Sequence, residues 1–238
     1  MRTVDLDAII LESGSHRPDH TFCVMELAAY IAEEPWSDHP KCVSRVIGAF
    51  LRSWNDSASR ESRQRLKPFA LTSLNTKGTI ENETIRSWMA VDWLVRASTP
   101  MWLRQAGLIA QAETLERLPE LNPQTSPLIL PALRAIREDA AAARDAAEDS
   151  VSVGDAWDAW DDAGDIAGDA SGPAWVAVWT ATVVSEVARD DARDDARDIA
   201  RDASWVAVWT ARETLATTVD ALQKSAFMLL DRMIEVGK

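Results

Sequence analysis

The sequence predicts an all-α protein: a helical N-terminal domain, then long helices rich in Ala, Asp, Arg and Trp that form a hairpin or coiled-coil-like bundle. Three observations carry this. Apolar residues recur at three- and four-residue steps, as in Val43, Val46, Ile47, Phe50, Leu51 and Trp54. Alternating strand patterns are absent. The stretch DDAGDIAGDAS at 161–171 returns as DDARDIARDAS at 194–204, and WVAVWTA at 175–181 returns at 205–211, an internal duplication in helix-forming residues.

The first helix is expected to be capped by Thr21, to run through CVMELAAYIAEE and to stop before Pro35. Ser37 or Asp38 is the expected cap of the second, with Pro40 in its first turn and CVSRVIGAFLRSW as its body. A third helix is expected over roughly 58–74 and a fourth over roughly 80–97. A fifth starts near Pro100 and carries Trp102, Leu103, Leu108 and Leu115.

Prolines at 119, 123, 127 and 131 mark residues 119–131 as a linker, because proline lacks the N–H a helix interior needs. This divides the chain into a domain over 1–118 and an acidic, repeat-containing helical region over 132–238. In that region Ala188, Ala192, Ala196, Ala200 and Ala203 form one stripe, suited to close helix approach. Asp190–Arg193, Asp194–Arg197 and Asp198–Arg201 are spaced as i,i+3 ion pairs. Trp157/Trp160, Trp175/Trp179 and Trp205/Trp209 each share a helix face, as core or as a partner-binding stripe. Breaks are expected near Gly154 and at Ser171-Gly172-Pro173, and Ser204 is a candidate cap that would split 175–236 into two helices.

The formal net charge of -13 is uneven. Residues 1–118 hold 14 Lys and Arg against 15 Asp and Glu, whereas 119–238 hold 11 against 23. Such a surface repels nucleic acid and anionic lipid and suits a basic protein partner or self-association through the C-terminal helices. No apolar run is long enough for a membrane-spanning helix, and the N-terminal residues lack a signal-peptide pattern, so a cytoplasmic protein is expected.

All the cysteines and histidines fall between 16 and 42: His16, His20, Cys23, His39 and Cys42. Cys23-x-x-Glu26 and His39-x-x-Cys42 have the spacing that puts two ligands on one helical face. Zinc is the metal such a set would take, through His16, Cys23, His39 and Cys42, or with Glu26 in place of His16. The same residues support a thiol mechanism, with Cys23 as nucleophile, His39 as base and Asp38 or Glu26 orienting it. A third reading makes the cysteines small buried hydrophobes.

The stretch CVMELAAYIAEEPWSDHPKCVSRVIGAFLRSWND at 23–56 resembles a signature of uncharacterised actinobacterial and actinobacteriophage proteins with a variable, alanine-rich C-terminal tail. MAVDWLVRASTPMWLRQAGL at 89–108 is similar to the same family. That pattern has a glycine where this chain has Glu33. The resemblance implies that Cys23, Glu26, His39 and Cys42 act as one unit and that the protein is of phage type. It implies no reaction. Together these readings point to a non-enzymatic interaction protein with a metal or polar Cys/His cluster. The alternative is a small Cys/His-dependent hydrolase or transferase.

Overall fold

The computed structural model describes residues 1–17, 21–148, 187–210 and 215–238. It is all-α: the described residues contain no strand, only an isolated parallel bridge between Leu11 and Phe22. They form two compact units, described separately below. One is built from Met1–Ser87 with Leu230–Lys238, the other from the described residues of 88–148 and 187–229. The division therefore falls at Ser87/Trp88 and not at the proline-rich segment.

In the first unit, α1 (Val24–Ile31) is buried on nearly every side. Its sequence, VMELAAYI, is apolar all round apart from Glu26, which is the pattern of a central helix rather than a surface one. Its cap is Cys23 and not Thr21. Around it pack α2 (Arg45–Ser57) and α4 (Lys67–Thr72), with α3 (Arg60–Gln64) between them in sequence. The face of α2 read from periodicity is the buried one: Val46, Ile47, Phe50 and Leu51 are fully buried and Trp54 nearly so. Yet α2 begins later than expected. Ser44 is its cap, accepting the Ile47 N–H at 3.3 Å, so Asp38, His39, Pro40 and Cys42 lie in the preceding loop. The region expected as one third helix is two, α3 and α4. Asn55, fully buried, ties the unit together: its Oδ1 accepts the Val24 N–H at 3.0 Å and its amide donates to Glu12 O at 2.8 Å.

Glu33 ends the first helical segment at φ 61, in the left-handed region where a side chain costs about 1–2 kcal/mol. Glu33→Gly is therefore expected to raise stability by about 1 kcal/mol, less any entropy gained by the unfolded chain. A urea midpoint that stays put or falls would refute it. The exposed Met1–Glu33 ion pair lost in this variant is too solvated to matter.

In the second unit the helix α5 (Ile80–Trp93), whose last turns belong here, runs through a π turn at Leu94–Ser98 into α6 (Thr99–Gln105). Pro100 explains the π turn. Its ring would clash with the carbonyl four residues back, and a wider turn relieves this; the Thr99 N–H reaches Leu94 O, five residues away. The expected fifth helix is divided at Gly107 (φ 78) into α6 and α7 (Ile109–Glu116). The expected linker is only partly irregular: α8 (Ser126–Glu148) starts within it and contains Pro131. Pro131 is the sixth residue of α8, past the first turn, and withholds the N–H that the Pro127 carbonyl would otherwise accept.

The long C-terminal helices are α9 (Val187–Thr210) and α10 (Leu215–Glu235). Ser204 lies inside α9, donating to Arg201 O at 2.8 Å, and caps nothing. The alanine stripe is buried at Ala192, Ala196, Ala200 and Ala203. It brings backbone within reach of α6: Thr99 Oγ1 donates to Ala196 O at 3.2 Å. α8 packs along α9 through an ion-pair ladder. Arg134 meets Asp191 at 3.5 Å, Arg137 meets Asp195 at 2.8 Å and Arg144 meets Asp202 at 3.0 Å. The partners are 57, 58 and 58 residues apart, so α8 and α9 run parallel to one another. Asp195 and Asp202 are buried in this seam. Burial raises the Asp195 carboxyl above its usual range despite Arg137 and Arg134. Of the expected i,i+3 pairs, Arg193–Asp190 and Arg201–Asp198 close at 3.7 and 3.3 Å, while Asp194 pairs with Arg193 at 2.7 Å.

The first copy of the duplication, Trp157, Trp160, Trp175, Trp179, Gly154, Ser171-Gly172-Pro173 and His20 lie outside the described residues. The side chains of Ala188 and Trp209 do too. Among the described residues, no helix is long and apolar enough to cross a membrane.

Candidate functional site

The sequence-predicted Cys/His cluster separates into three environments. The first is a buried capping box at the start of α1. Cys23 is 2 % exposed and its Sγ accepts the Glu26 N–H at 3.4 Å. Glu26, 1 % exposed, returns its carboxylate to the Cys23 N–H at 2.7 Å. The same carboxylate takes the His16 N–H at 2.6 Å and contacts His16 Nδ1 at 2.9 Å. His16 is held in turn by Trp36, whose indole N–H donates to its carbonyl at 2.8 Å, and Trp36 packs on Phe22 at 5.2 Å between ring centroids. So the loop EPWSDHP closes over the box through Trp36.

The second environment is Cys42. Glu34 accepts the backbone N–H groups of Lys41 and Cys42, the latter at 2.9 Å. Burial, followed by a hydrogen bond to Glu34, pushes the Cys42 thiol up. For Glu34 burial acts to raise the carboxyl, but the N–H donors of Lys41 and Cys42 outweigh it and hold it below its usual range. The third is His39, exposed, with Nδ1 2.6 Å from Asp38 Oδ1. His39 and Cys42 share no helical face, because the helix starts after both.

The described residues of this cluster are not arranged as a zinc site. The donor atoms of Cys23, Glu26 and His16 are turned on one another and on backbone N–H groups. Among the described residues no three His, Cys, Asp or Glu side chains form a group able to hold a metal ion. The set His16, Cys23, His39, Cys42, with or without Glu26, is not brought to one point. The thiol mechanism fares no better. Burial, opposed by the N–H groups of Glu26 and Met25, pushes Cys23 up to about 12, whereas a nucleophilic cysteine needs the reverse. Cys23 does stand at a helix N-terminus, which favours a thiolate, but burial wins. His39 bonds Asp38, as the catalytic reading requires, yet Cys23 spends its sulfur on the helix cap.

Beside this cluster the first unit holds a cavity of about 630 Å³ that the sequence reading missed. It is lined by His39, Lys41, Arg45, Arg52 and Lys77, with Glu83 as its acid. Gly48 makes room: a Cβ there would come within 3.3 Å of Arg52 Nη1. Arg52 donates to Asp38 O at 2.9 Å, and burial lowers its guanidinium from its ordinary value, against the pull of Asp38. Glu83 is engaged by other partners. Its Oε2 accepts from Ser44 Oγ at 2.8 Å and from the Val46 N–H at 3.1 Å, capping α2. Its Oε1 accepts from Arg86 at 2.8 Å. The only sequence signals for this site were the cations themselves, split between 39–52 and Lys77-Gly78.

No protein-family model matches the chain, and no match was found among curated proteins or solved structures.

Proposed function

We propose that the chain is a non-enzymatic, phage-type interaction protein. Its N-terminal unit is fastened by a polar Cys/His cluster, and its acidic C-terminal half engages a protein, either a partner with a basic surface or a second copy. The observation that carries the non-enzymatic part is Cys23: its sulfur caps α1, is almost wholly buried and is pushed up to about 12. The charge supports the rest. The acids of α9 are matched by the arginines of α8 and α9, but residues 149–186 contain eight acids and no Lys or Arg. Unbalanced charge of that density favours encounter with a basic surface.

Two measurements on the full chain test this. In sedimentation velocity it is expected to self-associate, or to shift when a lysine-rich protein is added, and about 1 M salt should weaken the salt-sensitive complex because charges are then screened within about 3 Å. A monomer under every condition sinks the interaction reading. With iodoacetamide, native Cys23 is expected to react far more slowly than Cys42, which is only half-buried. A fast-reacting Cys23 would return the thiol-enzyme alternative.

A further inference from the structure

We propose that the cavity at the start of α2 is a binding site for a compact phosphorylated small molecule, carrying two or more phosphate groups on a small body without an aromatic base. This goes beyond the reading above, which rests on Cys23 and on the acidic half of the chain and not on this cavity.

The charge is the first argument. Lys41, Arg45, Arg52 and Lys77 line one cavity in a chain whose formal net charge is -13. Like charges repel, so four cations converge on one concave surface only at a cost that an anion removes. Carboxylates offset them only in part: Glu34 lies near enough to Lys41, and Asp38 and Asp56 near enough to Arg52, for their charges to interact. Lys41, Arg45 and Lys77 make no side-chain ion pair among the described residues. Arg52 donates to a backbone carbonyl, and the carboxylate of Asp38 beside it is bonded to His39. The lining acid, Glu83, is already neutralised by Arg86 and by two donors of the α2 cap.

The second argument is construction. Arg52 is half-buried and is admitted by a glycine, so its place is built rather than a surface accident. The start of the 13-residue helix α2 forms part of the same wall, but its N–H groups are already taken by Glu83 and Ser44, so the anion-binding charge is that of the side chains. Two arginines supply planar forks suited to phosphate oxygens, and two lysines supply mobile point charges.

The third argument sets the class. About 630 Å³ is the size of a small-ligand pocket. The wall has Val43, Ile80 and Pro40 but no Trp, Tyr or Phe. Single-stranded nucleic acid is normally held by stacking on several aromatic rings, and the one ring in this lining is the His39 imidazole, held by Asp38. Several phosphates on a small aliphatic or polar body match both the charge and the wall.

Pyrophosphate is the probe, titrated into the full chain by calorimetry in a phosphate-free buffer at low salt. Saturable one-to-one binding is expected, tighter than for sulfate. Arg45→Gln and Lys77→Gln should each weaken it about tenfold, the loss of one charge-assisted hydrogen bond. Both side chains are exposed, so their melting temperatures should match wild type. Arg60→Gln, remote from the cavity lining, should bind as wild type does. No binding at millimolar pyrophosphate would overturn the proposal. So would binding that ignores Arg45 and Lys77, or equal binding of sulfate. A single-stranded oligonucleotide that binds more tightly than pyrophosphate through the same two residues would also overturn it, in favour of a nucleic-acid surface.

Discussion

Arg86→Ala is expected to lower the unfolding free energy by about 3–5 kcal/mol, the cost of leaving a buried charge without its partner. Arg86 is 1 % exposed. Its Nη1 holds Glu83 at 2.8 Å, while Nε and Nη2 donate to Met233 O at 2.9 Å and Val236 O at 2.8 Å. These are carbonyls at the end of α10, where the helix carries negative partial charge. Glu83 meanwhile sits at the start of α2, where the partial charge is positive. One ion pair thus satisfies two opposite helix ends inside the first unit. Removing the guanidinium strands Glu83 and two carbonyls together. Urea unfolding followed by tryptophan fluorescence measures the loss, and a change under about 1 kcal/mol would refute the buried-pair account. Glu83→Gln combined with Arg86→Met should recover part of it, because the amide can still accept from Ser44 and Val46 while the uncompensated charge is gone.

That pair also shows where sequence reading stops. Glu83-x-x-Arg86 reads as an ordinary helix-surface ion pair, since nothing local tells that its partners lie 39 and about 150 residues away. The helical class and the buried face of α2 were legible, because Val46, Ile47, Phe50, Leu51 and Trp54 follow the helix period. The boundaries were less so. Asp38 and Pro40 are good helix-start signals, but the loop uses them and Ser44 takes the cap, with Thr76 and Glu83 supplying the remaining partners. Cys23 and Glu26 were placed together at a helix start, as first-turn residues behind Thr21, whereas Cys23 is itself the cap. Their chemistry was not legible, because burial decides between a thiolate and a thiol and spacing does not report burial. In α9 the spacing offered ion pairs within the one helix, whereas Asp195 and Asp202 turn inward to arginines 58 residues earlier.

Glu26→Gln is the second large effect expected. The Glu26 carboxylate accepts from the Cys23 and His16 backbone N–H groups and contacts His16 Nδ1, all with the acid 1 % exposed. A carboxylate has acceptor positions for all of them. A glutamine offers one oxygen and turns an NH2 toward a donor, so a buried N–H is left without a partner. The loss should be about 2–4 kcal/mol, one unsatisfied buried donor plus one charge-assisted bond. It should also be local first. The box fixes the start of α1 and the loop held by Trp36, so fraying there uncovers Cys23 before the unit unfolds. Iodoacetamide labelling of Cys23 in the native variant should therefore quicken well beyond what the fall in global stability accounts for, while Cys42, tied to Glu34, should change little. If Cys23 and Cys42 accelerate together, in step with global unfolding, the capping box is not a separate fastening and Glu26 acts only through overall stability.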